Sequence, residues 1–351
     1  MKAGRKRRGR TILRKMLIPV TAIVLAQAAL YAVVFLQGGV LSHTDANAYD
    51  ILGERTINRQ LYLENEMIHR WSNVKEHETA ILSSVEATLK RQGASLKDIA
   101  TDAALGTQIL DGLSDSLVYM LRKNGVTGAF VVLDGVGVQG DESGQSKAGL
   151  YLRDLDPVNN SSGVSDILME RGMPTTSRRM GIPLDSFWRA DFLFTGEEGR
   201  ADEQFFFAPL NAARASTNRE SSNFGYWSPA FSLSGQDGQV ITYSIPLIAS
   251  DGTVFGVMGV DITQNYFASF MNYEELGVDN SGAYVLAVTD RKGERFQTIF
   301  SNGPLYQMKF GVSQTIAGKK SEHKNISTFT REGEGGKSDL YGSVQPFSLY
   351  N

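Results

Sequence analysis

A single carboxylate, Asp261, follows a run of apolar residues and glycines, where its chemistry would be to hold a cation or an amine. It belongs to residues 240–262, which read VITYSIPLIASDGTVFGVMGVDI. Two apolar, β-branched runs flank Asp251-Gly252, and this pattern predicts a β-hairpin with a two-residue turn. If that turn is of type I′, Thr242 lies opposite Asp261 across the hairpin.

The same register places Ser244 opposite Gly259. Gly256 and Gly259 lie inside the second predicted strand, where glycine is unfavourable unless something approaches the backbone closely. A concave sheet with small residues and one carboxylate could therefore hold a small cationic or amine-bearing molecule. A second interpretation stays open, because aspartate also favours the N-cap of a helix and Asp261 precedes the helical pattern of residues 262–273.

An aromatic group accompanies this carboxylate. Ligand pockets combine apolar and aromatic walls with a few polar groups, and aromatic faces attract ammonium ions. The alternative is an ordinary hydrophobic core in which Trp227 is buried. The predicted ligand-binding residues are Asp261, Tyr243, Trp227, Tyr226 and Ser244.

The other candidate motifs lack the neighbouring sequence that their chemistry requires. The glycines of residues 135–140 fit G-x-G-x-x-G, but acidic loop sequence follows in place of the helix that a dinucleotide site requires. Asp154, Asp156 and Asn159 have calcium-like spacing without the bidentate glutamate, which favours a polar turn. The chain has no cysteine, no H-E-x-x-H and no G-x-S-x-G. The sequence therefore predicts no catalytic residue, no metal and no cofactor.

The charge distribution is strongly asymmetric. Residues 1–15 contain eight Lys or Arg and no acid, and the whole chain carries a net charge of −3, which leaves about −11 for the remainder. This argues against nucleic acid as a partner. Residues 16–40 contain no charge and are long enough to span a bilayer as a helix. A cleaved signal peptide is the alternative, but the apolar run continues beyond what a signal requires. We therefore expect a cytoplasmic N-terminus (1–15), one transmembrane helix (16–40) and an extracellular remainder.

Residues 41–125 are predicted to be helical. An apolar stripe recurs at spacings of three, four or seven from residue 44 to residue 91, and Gly93 ends the pattern. A second helix is expected from residue 96 to Arg122, stopped by Asn124-Gly125. Such a stripe must be covered by its own domain or by a partner helix in a homodimer. The stripe consists of Ile57, Leu61, Ile68, Trp71, Val74, Ile81, Val85 and Leu89.

Strand patterns dominate the rest of the chain. Residues 126–134 and 149–155 resemble paired strands that lead towards the hairpin, while residues 157–224 are too irregular to assign. We expect one module at 126–262, a connecting helix within 263–280, and the start of a second module at 281–351.

The layout resembles the double Cache sensor domain of bacterial transmembrane receptors. The residues that carry this resemblance are Tyr243, Ser244, Pro246, Asp251, Gly252, Gly256, Val257, Gly259, Val260, Asp261 and Ile262, with Tyr226-Trp227-Ser228-Pro229 upstream.

The resemblance implies an α+β fold: an N-terminal transmembrane helix, a long stalk helix, and two PAS-like antiparallel-sheet modules, the second of them truncated. The distal module would bind a metabolite such as an amino acid, amine or carboxylate. Asp261 stands where amino-acid-binding members hold the ligand amine. Those members also carry an arginine close before a tryptophan–tyrosine pair, and this sequence lacks that cluster. Arg189 follows Trp188 in the wrong order, and Phe206-Phe207 occupy the matching place. Any kinase or cyclase activity would lie in a C-terminal module missing from this chain.

Two functions are therefore weighed. The first is a small-molecule-sensing ectodomain of a receptor in the bacterial plasma membrane. The second is a membrane-anchored protein-interaction module with no small-molecule ligand, which exposed aromatics at Phe187-Trp188 and residues 205–207 would favour. A membrane-anchored enzyme would need acids or histidines converging in a cleft, and the spacing suggests none.

Overall fold

A computed structural model describes most of the chain. The described residues are 11–37, 40–138, 145–159, 163–196, 200–232, 238–277, 281–311, 315–321, 325–331 and 340–346. The basic residues 1–10 and the last part of the predicted G-x-G-x-x-G loop lie outside them. The chain divides into two compact units, of residues 1–57, 319–329 and 339–345, and of residues 58–318, 330–338 and 346–351.

The smaller unit contains the apolar N-terminal helix. Helix α1 spans Thr11–Gln37, and its stretch Met16–Val33 has a mean hydropathy of 2.0 and no buried residue, so it is long and apolar enough to cross a membrane. Helix α2, Val40–Glu64, begins in this unit. Two paired strands near residues 326–331 and 340–343 also belong to this unit. The ring centroids of Tyr49 and Tyr341 lie 6.0 Å apart.

The predicted long helix is interrupted in the larger unit. A π-helical segment, Asn65–Trp71, follows α2, with the amide of Ser72 donating to the carbonyl of Met67 at 3.0 Å, and α3 (Lys75–Gln92) begins after a turn. The expected stripe is therefore right for α3 and wrong for α2: Ile57 and Leu61 are exposed, while Leu63 is buried. A π-helix holds more residues per turn, so an α-helical period continued across it selects the wrong face.

The helix ends follow their sequence signals. Gly93 adopts φ 62° after α3, and Gly125 adopts φ 57° after α4 (Ala103–Asn124), the left-handed conformation that glycine favours. Asp102 caps the start of α4 by accepting from the amide of Leu105. The predicted helix from residue 96 is thus two elements, because Leu96–Ala100 is a separate 3₁₀ turn.

The first sheet has the strand order β4-β3-β2-β1-β8-β7-β6, and β5 pairs with β2 outside this order. All pairs are antiparallel except β3–β4. The described part of the unassigned residues 157–224 contributes three strands, two α-helices and the 3₁₀ helix Ser221–Phe224. The elements are β1 (Gly128–Leu133), β2 (Ser146–Asp154), β3 (Ile167–Arg171), α5 (Pro174–Met180), β4 (Leu184–Arg189), β5 (Asp191–Leu193), α6 (Gln204–Arg214), β6 (Tyr226–Trp227), β7 (Val240–Ile248) and β8 (Val254–Thr263).

Each face of this sheet has its own hydrophobic core. Helix α4 packs on β1 and β2 on one side, which we call the helix face, while α6 packs on β7 and β8 on the other, which we call the outer face. Alternating residues of β1 therefore enter different cores, Val131 on the helix face and Phe130 on the outer face.

The β7–β8 hairpin has the predicted register with a different turn. Ser244 lies opposite Gly259. The amide of Gly252 donates to the carbonyl of Ala249 at 2.8 Å, and within residues 249–253, all of them described, only Gly252 has a positive φ. This is a three-residue turn, not type I′. A register shift beside Leu247 compensates for the additional turn residue and restores the pairing beyond it.

A short connection leads to the second sheet. Helix α7 (Gln264–Ser269) and a 3₁₀ turn (Tyr273–Leu276) precede β9 (Tyr284–Thr289), β10 (Arg295–Asn302), α8 (Pro304–Phe310) and β11 (Thr315–Lys320), with β10 paired to β9 and β11. In the smaller unit, β12 (Ile326–Arg331) pairs with β13 (Leu340–Ser343). The predicted α+β class, with an apolar N-terminal helix and antiparallel sheet modules, is confirmed.

Candidate functional site

Asp261 lies inside β8 and not at its end. It is fully buried and stands opposite Thr242 on one side and Gly128 on the other. The N-cap of α7 is Thr263, whose hydroxyl accepts from the amide of Tyr266 at 3.3 Å. The helix-cap interpretation of Asp261 is therefore wrong. Its carboxylate points to the outer face of the sheet, the face shared by its register partners Thr242 and Gly128.

A threonine and a tyrosine lie against this carboxylate. Thr127 Oγ1 donates to Asp261 Oδ1 at 2.8 Å, and the buried hydroxyl of Tyr151 lies near enough to Asp261 to be affected by its charge. Burial and the neighbouring charge of Asp261 raise the pKa of Tyr151 well above its usual value. Tyr151 therefore stays protonated and can donate throughout the physiological pH range.

Glycines near the carboxylate are explained by close packing. A Cβ at Gly128 would overlap Asp261 Oδ2, and a Cβ at Gly259 would lie 2.6 Å from Cζ of Phe130. The expected glycine-lined space at Gly259 is thus occupied by the ring of Phe130. Glycine at both positions allows a bulky or charged neighbour to lie directly on the strand.

Thr242 and Ser244 bring two more hydroxyls to the outer face. Ser244 Oγ donates to the carbonyl oxygen of Phe205 in α6 at 2.6 Å, which fixes the start of that helix over the sheet. Thr242 is completely buried, and its Oγ1 has no hydrogen-bond partner among the described residues. A buried hydroxyl without a partner costs about 1–3 kcal/mol, so this group is suited to receive one.

The predicted aromatic residues divide between the two faces. Tyr226 lies opposite Ser244 and therefore shares the outer face, where partial burial raises its pKa. Trp227 lies opposite Tyr243, with ring centroids 5.1 Å apart, and both belong to the core of the helix face. The structure therefore brings Asp261, Ser244 and Tyr226 to one face and places Tyr243 and Trp227 on the other.

Phenylalanines cover the outer face. Phe205 stacks on Phe231 at 5.5 Å and meets Phe130 edge-on at 5.3 Å, while Phe194 stacks on Phe206 at 4.9 Å. Of the aromatics proposed as an exposed docking patch, Phe205 and Phe206 are buried, and Phe187, Trp188 and Phe207 are half-buried. That group is not an exposed patch.

An arginine pair borders the site on β2 and β3. Arg153 forms an ion pair with the buried Glu170 at 2.5 Å. Arg171 is buried, donates to the carbonyl oxygens of Glu170 at 2.8 Å and Phe187 at 3.2 Å, and lies over the ring of Phe192. It is the register partner of Tyr151, so a guanidinium and the Asp261 carboxylate flank one tyrosine on the outer face.

Sequence reasoning missed Thr127, Tyr151 and Arg171 as neighbours of Asp261. Alternation in residues 149–155 places Tyr151 on the opposite face of its strand from Leu150 and Leu152, but it does not show which face of the sheet that is. The contact between Thr127 and Asp261 joins residues 134 positions apart, and no local pattern reports such a pairing.

The calcium-like residues are engaged by an arginine. Arg122 forms an ion pair with the buried Asp154 at 2.5 Å and another with Asp166. Burial raises the pKa of Asp154 while Arg122 opposes that change. Among the described residues no three metal-ligating side chains converge, and the polar-turn interpretation of residues 154–159 fits the bond from the Asp156 amide to Asp154 Oδ1 at 2.9 Å.

Comparison with known proteins gives only distant structural likeness. No family model and no curated protein matches the sequence. The ligand-binding domain of the Campylobacter jejuni chemoreceptor Tlp3, solved with L-norvaline, is 12% identical over 81% of this chain and 86% of its own, with a TM-score of 0.30. A structure described as methyl-accepting chemotaxis protein X is 13% identical over 70% of this chain and 77% of its own, with a TM-score of 0.31.

The ligand-binding domain of the Pseudomonas aeruginosa amino acid chemoreceptor PctC, solved with GABA, is 12% identical over 76% of this chain and 94% of its own, with a TM-score of 0.22. All three are sensory proteins by their descriptions. Identities and TM-scores this low assign no function to this chain.

Proposed function

We propose that this chain is the small-molecule-sensing part of a receptor in the bacterial plasma membrane. Met16–Val33 would cross the membrane once, with the basic N-terminus in the cytoplasm and the sheets outside. Such a receptor would pass its signal to a histidine kinase, a diguanylate cyclase or a chemotaxis module.

One observation carries the proposal. Asp261 and Thr242 lie opposite each other on the outer face, both completely buried, and the Thr242 hydroxyl has no partner among the described residues. Burying a carboxylate is costly, and such groups occur preferentially where they bind or react. A ligand that donates hydrogen bonds would serve both groups at once.

The ligand class follows from this chemistry. A carboxylate accepts hydrogen bonds from an ammonium group, and the phenylalanines around it suit the apolar remainder of a small metabolite. The buried guanidinium of Arg171 on the same face would favour a carboxylate elsewhere in the ligand. We therefore favour an amine or amino acid over a simple carboxylate.

A route for the signal leaves the site along β8. The strand carries Asp261 and continues into α7, where Phe267 lies 6.1 Å from the Trp71 ring, and Phe270 just beyond the helix meets that ring edge-on at 5.1 Å. Trp71 ends the π-helical segment. A ligand would shift this contact only by the difference in its affinity for two arrangements of these elements.

The interaction module stays a second candidate because Phe130 fills the space beside Gly259. If the outer face is closed by its own side chains, no metabolite enters, and binding would involve a protein. This candidate predicts no stabilisation that depends on Asp261.

Thermal unfolding of the full chain in detergent micelles, screened against amino acids, amines and carboxylates, distinguishes the two. We expect at least one amine-bearing compound to raise the midpoint, and Asp261→Asn to abolish the rise. Asp50→Asn, at an exposed aspartate of α2, is the matched control. A stabilising amine-bearing compound with an unchanged effect on Asp261→Asn would refute the site, and no stabilising amine-bearing compound at all would refute the sensing function.

A further inference from the structure

A cavity that is open to the surface lies between helices α3, α4 and α5, and none of its lining residues belongs to the site at Asp261. Its volume is about 380 Å³, which is within the range of small-molecule sites. Every residue that lines it is polar, charged or glycine, so polar groups and the aliphatic parts of the same side chains share its wall. The polar groups can form hydrogen bonds with a polar ligand.

The charge of this lining opposes that of the chain around it. Residues after position 15 carry about −11, yet the cavity is lined by two arginines, Arg91 and Arg179, and one acid, Asp111. Arg179 forms ion pairs with Asp111 at 3.0 Å and with Asp115 at 3.6 Å, so part of its charge is offset. Arg91 therefore supplies most of the positive charge that would attract a negatively charged ligand.

The two arginines are held differently. Arg179 is fixed by α4, since its Nε donates to Asp111 Oδ1 and its Nη2 to the Asp111 carbonyl oxygen, each at 3.0 Å. Arg91 donates to Thr88 Oγ1 at 3.1 Å and forms no ion pair with any residue that the structure describes. A guanidinium has five N–H donors in a planar fork, so Arg91 has donors to offer to an oxyanion.

Neutral donors surround the same space. Gln92, Gln108 and Thr175 line the cavity on α3, α4 and α5 and carry amide and hydroxyl donors, whereas the hydroxyl of Thr107 already donates to the carbonyl oxygen of Ala103 at 3.0 Å. Such groups can bind the remaining oxygens of an anion that the arginines neutralise. An anion bound here would connect three helices that lie on the helix-face side of the first sheet.

We propose that this cavity binds a small oxyanion, a carboxylate or a phosphate, with Arg91 as its principal ligand and Arg179 as the second charge. The binding is independent of the metabolite site at Asp261. It would stabilise the packing of α3 against α4 and α5, because the anion binds only when the three helices are together.

Calorimetric titration of the full chain in detergent micelles tests this proposal. The probes are sodium phosphate and sodium succinate, and sodium chloride at equal ionic strength is the control. We expect saturable binding of at least one probe, a rise in the unfolding midpoint, and at least a tenfold weaker affinity for Arg91→Gln. Phosphate alone or succinate alone as the active probe identifies the preferred oxyanion.

Arg178→Gln is the matched variant, since Arg178 is an exposed arginine of α5 that does not line the cavity. It should bind the probe like the unaltered chain, and so should Asp261→Asn, which separates this site from the proposed sensing site. The proposal is overturned if neither probe exceeds chloride, or if Arg91→Gln and Arg178→Gln bind equally well.

Discussion

Thr242 and Asp261 face each other across the β7–β8 hairpin, and solvent reaches neither. Asp261 accepts a hydrogen bond from Thr127, whereas the hydroxyl of Thr242 has no partner among the described residues. This pair places two polar side chains beneath a cover of phenylalanines on the outer face of the first sheet. Replacing either residue should therefore change folding stability and ligand binding in different ways.

Thr242→Val should stabilise the protein by about 1 kcal/mol, because it exchanges a buried hydroxyl without a partner for a methyl group of similar size. The same variant should bind the proposed ligand more weakly. Urea unfolding measures the first effect and ligand-induced thermal shift the second. Thr298→Val is the control: that buried hydroxyl shares a hydrogen bond of 2.8 Å with Tyr306, so its removal should destabilise. A loss of stability for Thr242→Val would show that its hydroxyl is already satisfied.

Gly128→Ala should destabilise by about 1–3 kcal/mol, because the added Cβ would overlap Asp261 Oδ2 and lie 2.7 Å from Cε2 of Tyr151. Gly163→Ala meets no atom within 4 Å and should change the free energy of unfolding by no more than about 0.5 kcal/mol. Equal urea midpoints for the two variants would contradict the close approach of Asp261 to β1.

Trp71→Ala should cost about 3–5 kcal/mol, because the indole is fully buried at the end of the π-helical segment and contacts the aromatic rings that follow β8. Leu61→Ala removes an exposed side chain of α2 and should change the unfolding free energy by no more than about 0.5 kcal/mol. If the α-helical stripe continued through α2 as its sequence pattern predicts, the leucine would instead be the costly residue.

Stability should fall as the pH drops through the titration range of His77. Burial lowers the pKa of this imidazole, whose Nε2 lies 3.1 Å from Asn124 Oδ1. Below its usual pKa the unfolded chain binds a proton that the folded chain excludes, so the free energy of unfolding rises with pH in that window and levels off above it. Chemical unfolding between pH about 5 and 8 should show this slope.

His77→Gln should reduce that slope, since the substituted side chain does not titrate, and Gln can still offer an amide to Asn124. His69→Gln, at an exposed histidine, is the matched control. An identical pH profile for His77→Gln and the unaltered chain would show that His77 is protonated equally in both states.

Local patterns determined much of this fold. The uncharged run before residue 40 predicts a helix able to cross a membrane, and the left-handed glycines Gly93 and Gly125 end α3 and α4 where expected. The register of the β7–β8 hairpin also follows from its sequence, because alternation and a turn signal act over a few residues. Its three-residue turn was not predicted, since a bulge can offset the additional residue without changing the pairing.

Tertiary structure alone decided which residues meet. The sequence marks Asp261 as an unusual carboxylate but cannot show that Thr127 donates to it and that Tyr151 lies beside it, since these residues come from a distant part of the chain. Nor can the sequence show that Tyr243 and Trp227 lie on the helix face. Alternation assigns neighbouring residues to opposite faces of a strand, but it does not show which face the phenylalanines will cover. Periodicity is a property of neighbours along the chain, whereas a binding site depends on which distant strands become neighbours in space.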